Sequence, residues 1–583
     1  MKNVFKFIPV AAFAIFATSC IQEIDPKTDT VTIDQAAAAP GAFDNFVSSI
    51  TSSLCGQFVY GGTDNKYPFD CGYPSFMLQR DVMGSDTAEP YLNWFSNWYQ
   101  GTDGGPSSAY AQIPWTYYYS WIKSCNNVIS VAGEEPTPDQ YAGLGIAYTM
   151  RAFFYEDLAQ MFAPRTYLQD KDALTVPFVD EKIKIEDLPH NPRKTNAEMW
   201  ELIIHDLDVA ESYFSQSNFK RTNVFVPDIT VAYGLKARAY LIMGDWANAI
   251  AYAQKAQQGY TALTPAEYTS RDNGFNTPTS AWMFGCQYLP SHDNITYNDS
   301  DSNWGSLRCL EINPDPSISG CGYASNYGQL FIIDRHLYES MPLSDIRRNC
   351  YVDYAIDDLQ DKDSNGNLTP ESAAAIDAAL SAYSDYPSWV RNSGIVASDY
   401  HHVGGLSLKF RVTGGADGHS NQYIGFCVAV PFMRVEEMQL IEIEALGRQN
   451  EQAGIDALTN WVRANRDPLY NYGRHNEAYG NTQTPAFINE VWWQRRVEFW
   501  GEGISTLDIK RLDKGIIRSY AGTSHAETAR YNVGDYNHAE GTIHPDWMNL
   551  CIVQTETNYN FDCTNNPTPV PPTGDSKEWE GSF

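Results

Sequence analysis

Asp228 to Gly259 constrains this chain more than any other stretch. Tyr233, Ala237 and Tyr240 recur at helical spacing and stop near Gly244. Asp245 then caps a second run in which Trp246, Ala249, Ile250, Ala253 and Ala256 share one face. Small side chains let two backbones approach, and large ones fill the groove beside them, so the two helices fold back about a Gly-Asp-Trp turn. One such pair cannot cover its own apolar faces. The chain must therefore supply further pairs to stack on it, and a mainly helical scaffold is the expected fold class.

The small/large alternation around that turn matches the tetratricopeptide unit. A looser unit follows at Glu436 to Asn465, with Leu440, Ala445, Gly447, Ile455 and Leu458. Thr137-Pro138-Asp139-Gln140 predicts a capping box that opens a stripe through Tyr141, Leu144, Tyr148, Tyr155, Leu158 and Phe162, with Arg151 in one slot. Thr195-Asn196-Ala197-Glu198 predicts another, ahead of Trp200, Ile203, Ile204, Leu207 and Phe214. Between the helical regions, residues 271–330 are rich in Gly, Ser, Asn, Asp and Pro, and residues 385–430 are Gly-rich with β-like runs at 406–410 and 423–430. Loops and short hairpins mounted on the helices are expected there.

The N-terminus carries an export signal. Lys2 and Lys6 precede an apolar run, Phe7 to Ala17, far shorter than the ~20 residues that span a bilayer. Ala17-Thr18-Ser19-Cys20 follows it, small residues directly before a cysteine, so Cys20 is the expected lipidation site and the protein is anchored by acyl chains. Expected divisions are 1–19 signal peptide, 20–40 polar flexible tether, 41–270 N-terminal helical region, 271–430 loop-rich ligand-binding subdomain, 431–566 C-terminal helical region and 567–583 loose tail.

Hydrophobic residues at 43% against 19% charged call for a globular chain, not a disordered one. A net charge of −31 argues against nucleic acid as a partner. Besides Cys20 there are ten cysteines, with near pairs Cys55/Cys71, Cys309/Cys321 and Cys551/Cys563, whose pairing the sequence leaves open. None has zinc spacing.

No nucleophile elbow, metalloprotease helix, P-loop or dinucleotide fingerprint occurs, so the chain is expected not to be an enzyme. His401-His402 has no obvious metal-ligand companions. Asp361, Asp363, Asn365, Gly366, Asn367 and Thr369 have the DxDxNG spacing of a calcium loop, in which alternate oxygens converge and glycine permits the sharp turn. The twelfth position, normally a bidentate glutamate, is Ser372. No cofactor is required, and structural calcium is the one candidate ion; a solvated turn between helices is the alternative.

The order of motifs resembles the SusD/RagB family of outer-membrane nutrient-binding lipoproteins. The match comprises the lipobox at Cys20, residues 148–155, Val176-Pro177-Phe178, residues 204–207 and the Tyr240 to Ala249 repeat. It continues through Val430 to Arg434 with Glu444-Ala445, Arg495 to Glu498 with Glu502-Gly503, and Asp508 to Arg511. Ser505 and Val553 depart from the usual arginine and proline. The resemblance implies an α/α superhelix of about four tetratricopeptide-like helix pairs carrying a loop-rich, partly β ligand face. It also implies a lid-like role over a TonB-dependent SusC-like outer-membrane transporter and capture of oligosaccharides, or peptides in RagB-like members. Glu23, Asp25, Asp29 and Asp34 behind Cys20 resemble the signal that moves such lipoproteins to the outer face of the cell outer membrane. A surface glycan-degrading enzyme is the remote alternative.

In the family, residues before the first long helices meet the 290–330 loops at the ligand site. A pyranose needs a flat apolar platform ringed by planar donors and acceptors. Arg80, Asp81, Trp94, Asn97 and Trp98 in one segment, and Tyr297, Asn303 and Trp304 in the other, are the expected glycan-binding residues. Tyr323 and Tyr327 are further aromatics set among polar, loop-forming neighbours.

Overall fold

A computed structural model of the chain describes residues 41–56, 69–272, 274–296, 300, 302–313, 322–324, 330–393, 403–574 and 576–583. The signal peptide, Cys20, the tether, Tyr297, Cys321, Tyr327 and His401-His402 lie outside the described residues. Helices of ten or more residues are α1 (Ala42–Ser52), α2 (Tyr73–Val82), α3 (Ala109–Ala132), α4 (Tyr141–Phe162), α5 (Asn196–Gln216) and α6 (Ile229–Met243). They continue with α7 (Trp246–Ala256), α8 (Pro370–Leu380), α9 (Val435–Gln449), α10 (Glu451–Asn465) and α11 (Ala486–Glu498).

The α6/α7 pair folds back about Gly244 and Asp245. Gly244 closes α6 with φ 75°, in the left-handed region that an L side chain adopts at a cost. Asp245 caps α7 by accepting from the Asn248 N–H at 3.2 Å. α4 packs on α3 and α5, α6 on α5 and α7, and α9 on α6, α7 and α10, which makes the stacked helical superhelix. The Thr195 capping box forms in full. At Thr137 only the return half forms: Gln140 accepts the Thr137 N–H at 2.9 Å, and α4 begins after it at Tyr141. Arg151, the charged slot in the α4 stripe, is held by Asp206 of α5 at 2.7 Å and Glu181 at 2.6 Å. A Cβ on Gly447 of α9 would overlap the Phe487 ring of α11, and a Cβ on Gly454 of α10 would overlap the Gly447 backbone.

Strands are few. β1 (Thr87–Ala88) pairs with β5 (Ile332–Ile333), β2 (Leu174–Pro177) with β3 (Arg193–Thr195), and β4 (Trp282–Gln287) with β6 (Ala429–Arg434), all antiparallel. The fold is thus mainly α with small two-stranded sheets. One apolar core runs from Ile50 to Cys563 through both helical regions. A smaller core, including Leu310, Leu330, Val352, Ile376, Val390 and Leu406, underlies the 271–430 region.

Buried ion pairs tie distant segments together. Glu498 at the end of α11 accepts from Arg466 at 2.7 and 2.9 Å, and Arg434 and Arg347 stand at 3.3 and 3.6 Å. Arg434 also meets Glu502 at 2.8 Å, and the Lys409 ammonium meets the same carboxylate at 2.6 Å. Arg495 holds Asp508 at 2.6 Å, and Arg511 clasps Glu444 through two bonds of 2.7 and 2.8 Å. The motif residues near the C-terminus therefore build the scaffold. Asp86 pairs with Arg496 at 2.6 Å. Arg518 donates to the carbonyls of Val82, Met83 and Gly84 at 2.7–3.1 Å, capping the end of α2, and to Tyr99 at 2.5 Å.

The 567–583 tail differs from the expectation of a loose end. Asn532 donates to the Lys577 carbonyl at 2.8 Å, the Trp579 N–H to Ser519 at 2.8 Å, and the Phe583 ring stacks on His336 at 3.5 Å. Irregular backbone rich in Pro and Gly needs only such cross-chain partners to lie down. Among the described cysteines, Cys55, Cys71, Cys125, Cys286, Cys350, Cys551 and Cys563 are buried free thiols and Cys427 is a half-buried one.

Candidate functional site

An open cleft of about 360 Å³ lies on the 271–430 region, within the range that takes a small ligand. It is lined by Arg271, Asp272, Glu311, Asp385, Tyr386 and His419, with the 413–416 turn as one wall. Tyr386 comes from the connection after α8. Pro387 fixes the start of a short helix, Pro387–Asn392, and the Tyr386 carbonyl accepts the N–H groups of Trp389 and Val390 at 3.0 and 3.1 Å. Trp389 is therefore one turn on and its ring stacks on Tyr386, centroids 4.1 Å apart at 11°. His419, in the helix Gly415–Ser420, stacks on Tyr386 at 4.3 Å, and its Nδ1 is 2.7 Å from the Gly415 carbonyl.

The rim is made of planar polar groups. Arg271 donates to Asp385 at 2.9 Å and to the Ser381 and Ala382 carbonyls at 3.2 and 2.7 Å. Glu311 is buried, pairs with Arg411 at 2.6 Å and accepts from the Ser384 hydroxyl. Stacked rings with carboxylates and a guanidinium at the edge can hold the C–H face of a sugar while satisfying its hydroxyls. The set went unread in the sequence because four separate segments assemble it. The local signal was Tyr386-Pro387-Ser388-Trp389, two aromatics one helical turn apart behind a helix-starting proline.

A second cavity, about 50 Å³, lies among Arg80, Glu156, Arg238, Glu437, Arg495 and Asp508. It has room for water but not for a sugar ring. Burial holds the Glu156 carboxyl well above the usual carboxylate range.

The residues expected from the sequence to bind glycan fall elsewhere. The two segments do meet, but as core. Arg80 pairs with Asp157 at 2.9 Å, and Asp81 with Arg308 at 2.8 Å. Burial pushes the Asp81 carboxyl up to about 7 even with Arg308 beside it. Trp304 is 0% exposed, edge-on to Phe410 at 5.2 Å with the Arg308 guanidinium over its ring at 5.1 Å. Asn303 is buried as the cap of the helix Trp304–Arg308. Trp98 is packed edge-on against Tyr110 at 4.8 Å and Phe69 at 5.9 Å, and Tyr323 is buried too. Around Trp304 the polar neighbours Ser300, Asn303 and Ser306 are themselves buried and hydrogen-bonded. Trp94 stays 40% exposed, and Asn97 is half-buried beside it, accepting from the Thr102 hydroxyl at 3.3 Å.

The candidate calcium loop folds as a capped turn. Asp363 Oδ1 accepts the N–H groups of Asn365 and Asn367 at 2.8 and 3.0 Å, and Thr369 caps α8 by accepting from Ser372 at 3.2 Å. The Ser372 hydroxyl, at the twelfth position, donates to the Leu359 carbonyl at 2.6 Å and accepts the Asp361 N–H at 3.0 Å. Among the described residues no three acidic, histidine or cysteine side chains converge as a metal cluster.

Residues 77–241, from α2 into α6, match the SusD-like family model described as "Starch-binding associating with outer membrane". No curated protein matches the sequence. The fold is similar to that of a SusD-like carbohydrate-binding protein from Bacteroides vulgatus, at 19% identity and TM-score 0.64, over 90% of this chain and 97% of that one. A SusD superfamily protein from Bacteroides thetaiotaomicron matches at 18% identity and TM-score 0.61, over 92% and 100%. A sugar-binding protein, so described, from Bacteroides vulgatus matches at 19% identity and TM-score 0.60, over 91% and 98%. No helix among the described residues is long and apolar enough to cross a membrane. Residues 77–241 thus match a SusD-like family model, and the fold from α1 to the tail is similar to that of SusD-like proteins.

Proposed function

We propose that this protein captures oligosaccharides at the cell surface and delivers them to a partner TonB-dependent transporter, without acting on them as an enzyme. The observation that carries the reading is the open cleft lined by the Tyr386 and His419 rings, with Trp389 stacked on Tyr386. Its size and chemistry suit a short run of sugar rings. The family description and the carbohydrate-binding and sugar-binding relatives support the same ligand class. Trp94 and Asn97, left at the surface, are a second place where a longer glycan could touch.

Tyr386→Ala should weaken binding of the cognate glycan by about 1–3 kcal/mol, the size of a lost anchor contact. Calorimetric titration against a panel of soluble glycans and peptides measures it, with the melting temperature as a folding control. Unchanged affinity in a folded variant would remove the cleft from the reading, and binding of peptides alone would replace glycan by peptide as the cargo. Reducing sugar released from the panel on long incubation would count for an enzyme.

The outer-membrane placement rests on Cys20 taking the lipid. Cys20→Ala should move the protein from the membrane fraction to the soluble one with its melting temperature unchanged. A variant still acylated and still sedimenting with the outer membrane rules that anchor out.

A further inference from the structure

We infer that the cleft selects uncharged glycans and turns away those bearing carboxylate or sulfate, a deepening that rests on the carbohydrate reading of the same cleft. Among its described lining residues the acids are Asp272, Glu311 and Asp385, and Arg271 is the one guanidinium. A uronate is normally bound by an arginine fork with two parallel donors free to face it. Arg271 is already spent: one nitrogen donates to Asp385 at 2.9 Å, and another to the Ser381 and Ala382 carbonyls at 3.2 and 2.7 Å. The nearby Arg411 is likewise closed off, by Glu311 at 2.6 Å and by the Tyr383 carbonyl at 3.1 Å.

What the rim offers instead is acceptors. Asp272 and Asp385 are both exposed, and ionised carboxylates accept from sugar hydroxyls but cannot donate. A neutral pyranose presents hydroxyl donors all round and can satisfy them. A carboxylate or sulfate on the sugar brings like charge against Asp272 and Asp385 and must compete with Asp385 for the Arg271 guanidinium. The net charge of −31 repels the same ligands at longer range.

The test compares each neutral oligosaccharide that binds with the same oligosaccharide after its C6 hydroxymethyl groups are oxidised to carboxylates, which keeps length and linkage. At low salt the neutral form should bind at least tenfold tighter, and the gap should narrow as salt is raised. Asp385→Asn, which releases Arg271 from its carboxylate partner, should cut the neutral-to-oxidised ratio at least fivefold; Asp272→Asn should cut it in the same direction. Oxidised glycans binding as tightly as neutral ones, or a ratio that neither variant moves, would overturn the inference and leave the carbohydrate reading standing. If no member of the neutral panel binds at millimolar concentration, the carbohydrate reading falls and this inference falls with it.

Discussion

Glu498→Ala should destabilise the fold by about 3–5 kcal/mol, the cost of stranding buried charge when one partner of a buried network is removed. Glu498 is fully buried, and its two oxygens collect donors from Arg466 with Arg434 and Arg347 close behind. Burial alone would raise its pKa, yet those three guanidinium groups hold the carboxyl far below the usual carboxylate range. Alanine removes the charge and both acceptors while leaving Arg466 in the interior with Glu436 as its remaining carboxylate, at 3.1 Å. Glu498→Gln keeps the shape and one acceptor and should cost less. The denaturant midpoints of the two variants measure this. An alanine variant as stable as the parent would mean that the network is open to water.

Trp304→Ala should cost a similar 3–5 kcal/mol, as a large buried aromatic does when a cavity replaces it. The effect runs against what the sequence suggests, since Ser300, Ser302, Asn303 and Gly305 around it read as a tolerant loop. In the fold the indole is shut in by Phe410 and the Arg308 side chain. Its loss also unseats Arg308, which neutralises Asp81. Thermal unfolding and glycan titration separate the two roles. A large fall in melting temperature with unchanged affinity at low temperature fits a core residue. Lost affinity with unchanged melting makes Trp304 a ligand contact after all.

Local chemistry explains what could be read in advance. Gly244 and Asp245 fix the turn of the α6/α7 pair by backbone conformation and capping, and Thr195 and Glu198 fix the start of α5 in the same way. Each needs only residues within a few positions. The burial of Trp304 and Asn303 is not legible locally, because Phe410 and the Asn294 carbonyl decide it from elsewhere in the chain. Asp363 carries a metal spacing, and the same spacing serves the Asx turn in which its carboxylate accepts the Asn365 and Asn367 N–H groups. The cleft was hardest to foresee. Arg271, Glu311, Asp385 and His419 come from four separate stretches, and none is unusual where it stands.

The Asp86–Arg496 and Arg518 contacts have a consequence for how the molecule comes to exist. The end of α2 is capped by a guanidinium that is more than four hundred residues away, and Asp86 waits as long for its partner. A chain emerging from its N-terminus can form α3 to α7 from near neighbours. It cannot seal the face around Val82 to Asp86 until almost all of it has appeared. Closing so long a loop is entropically costly and slow compared with local helix pairing. The segments around Val82 to Asp86 and Arg496 to Arg518 therefore lock together last.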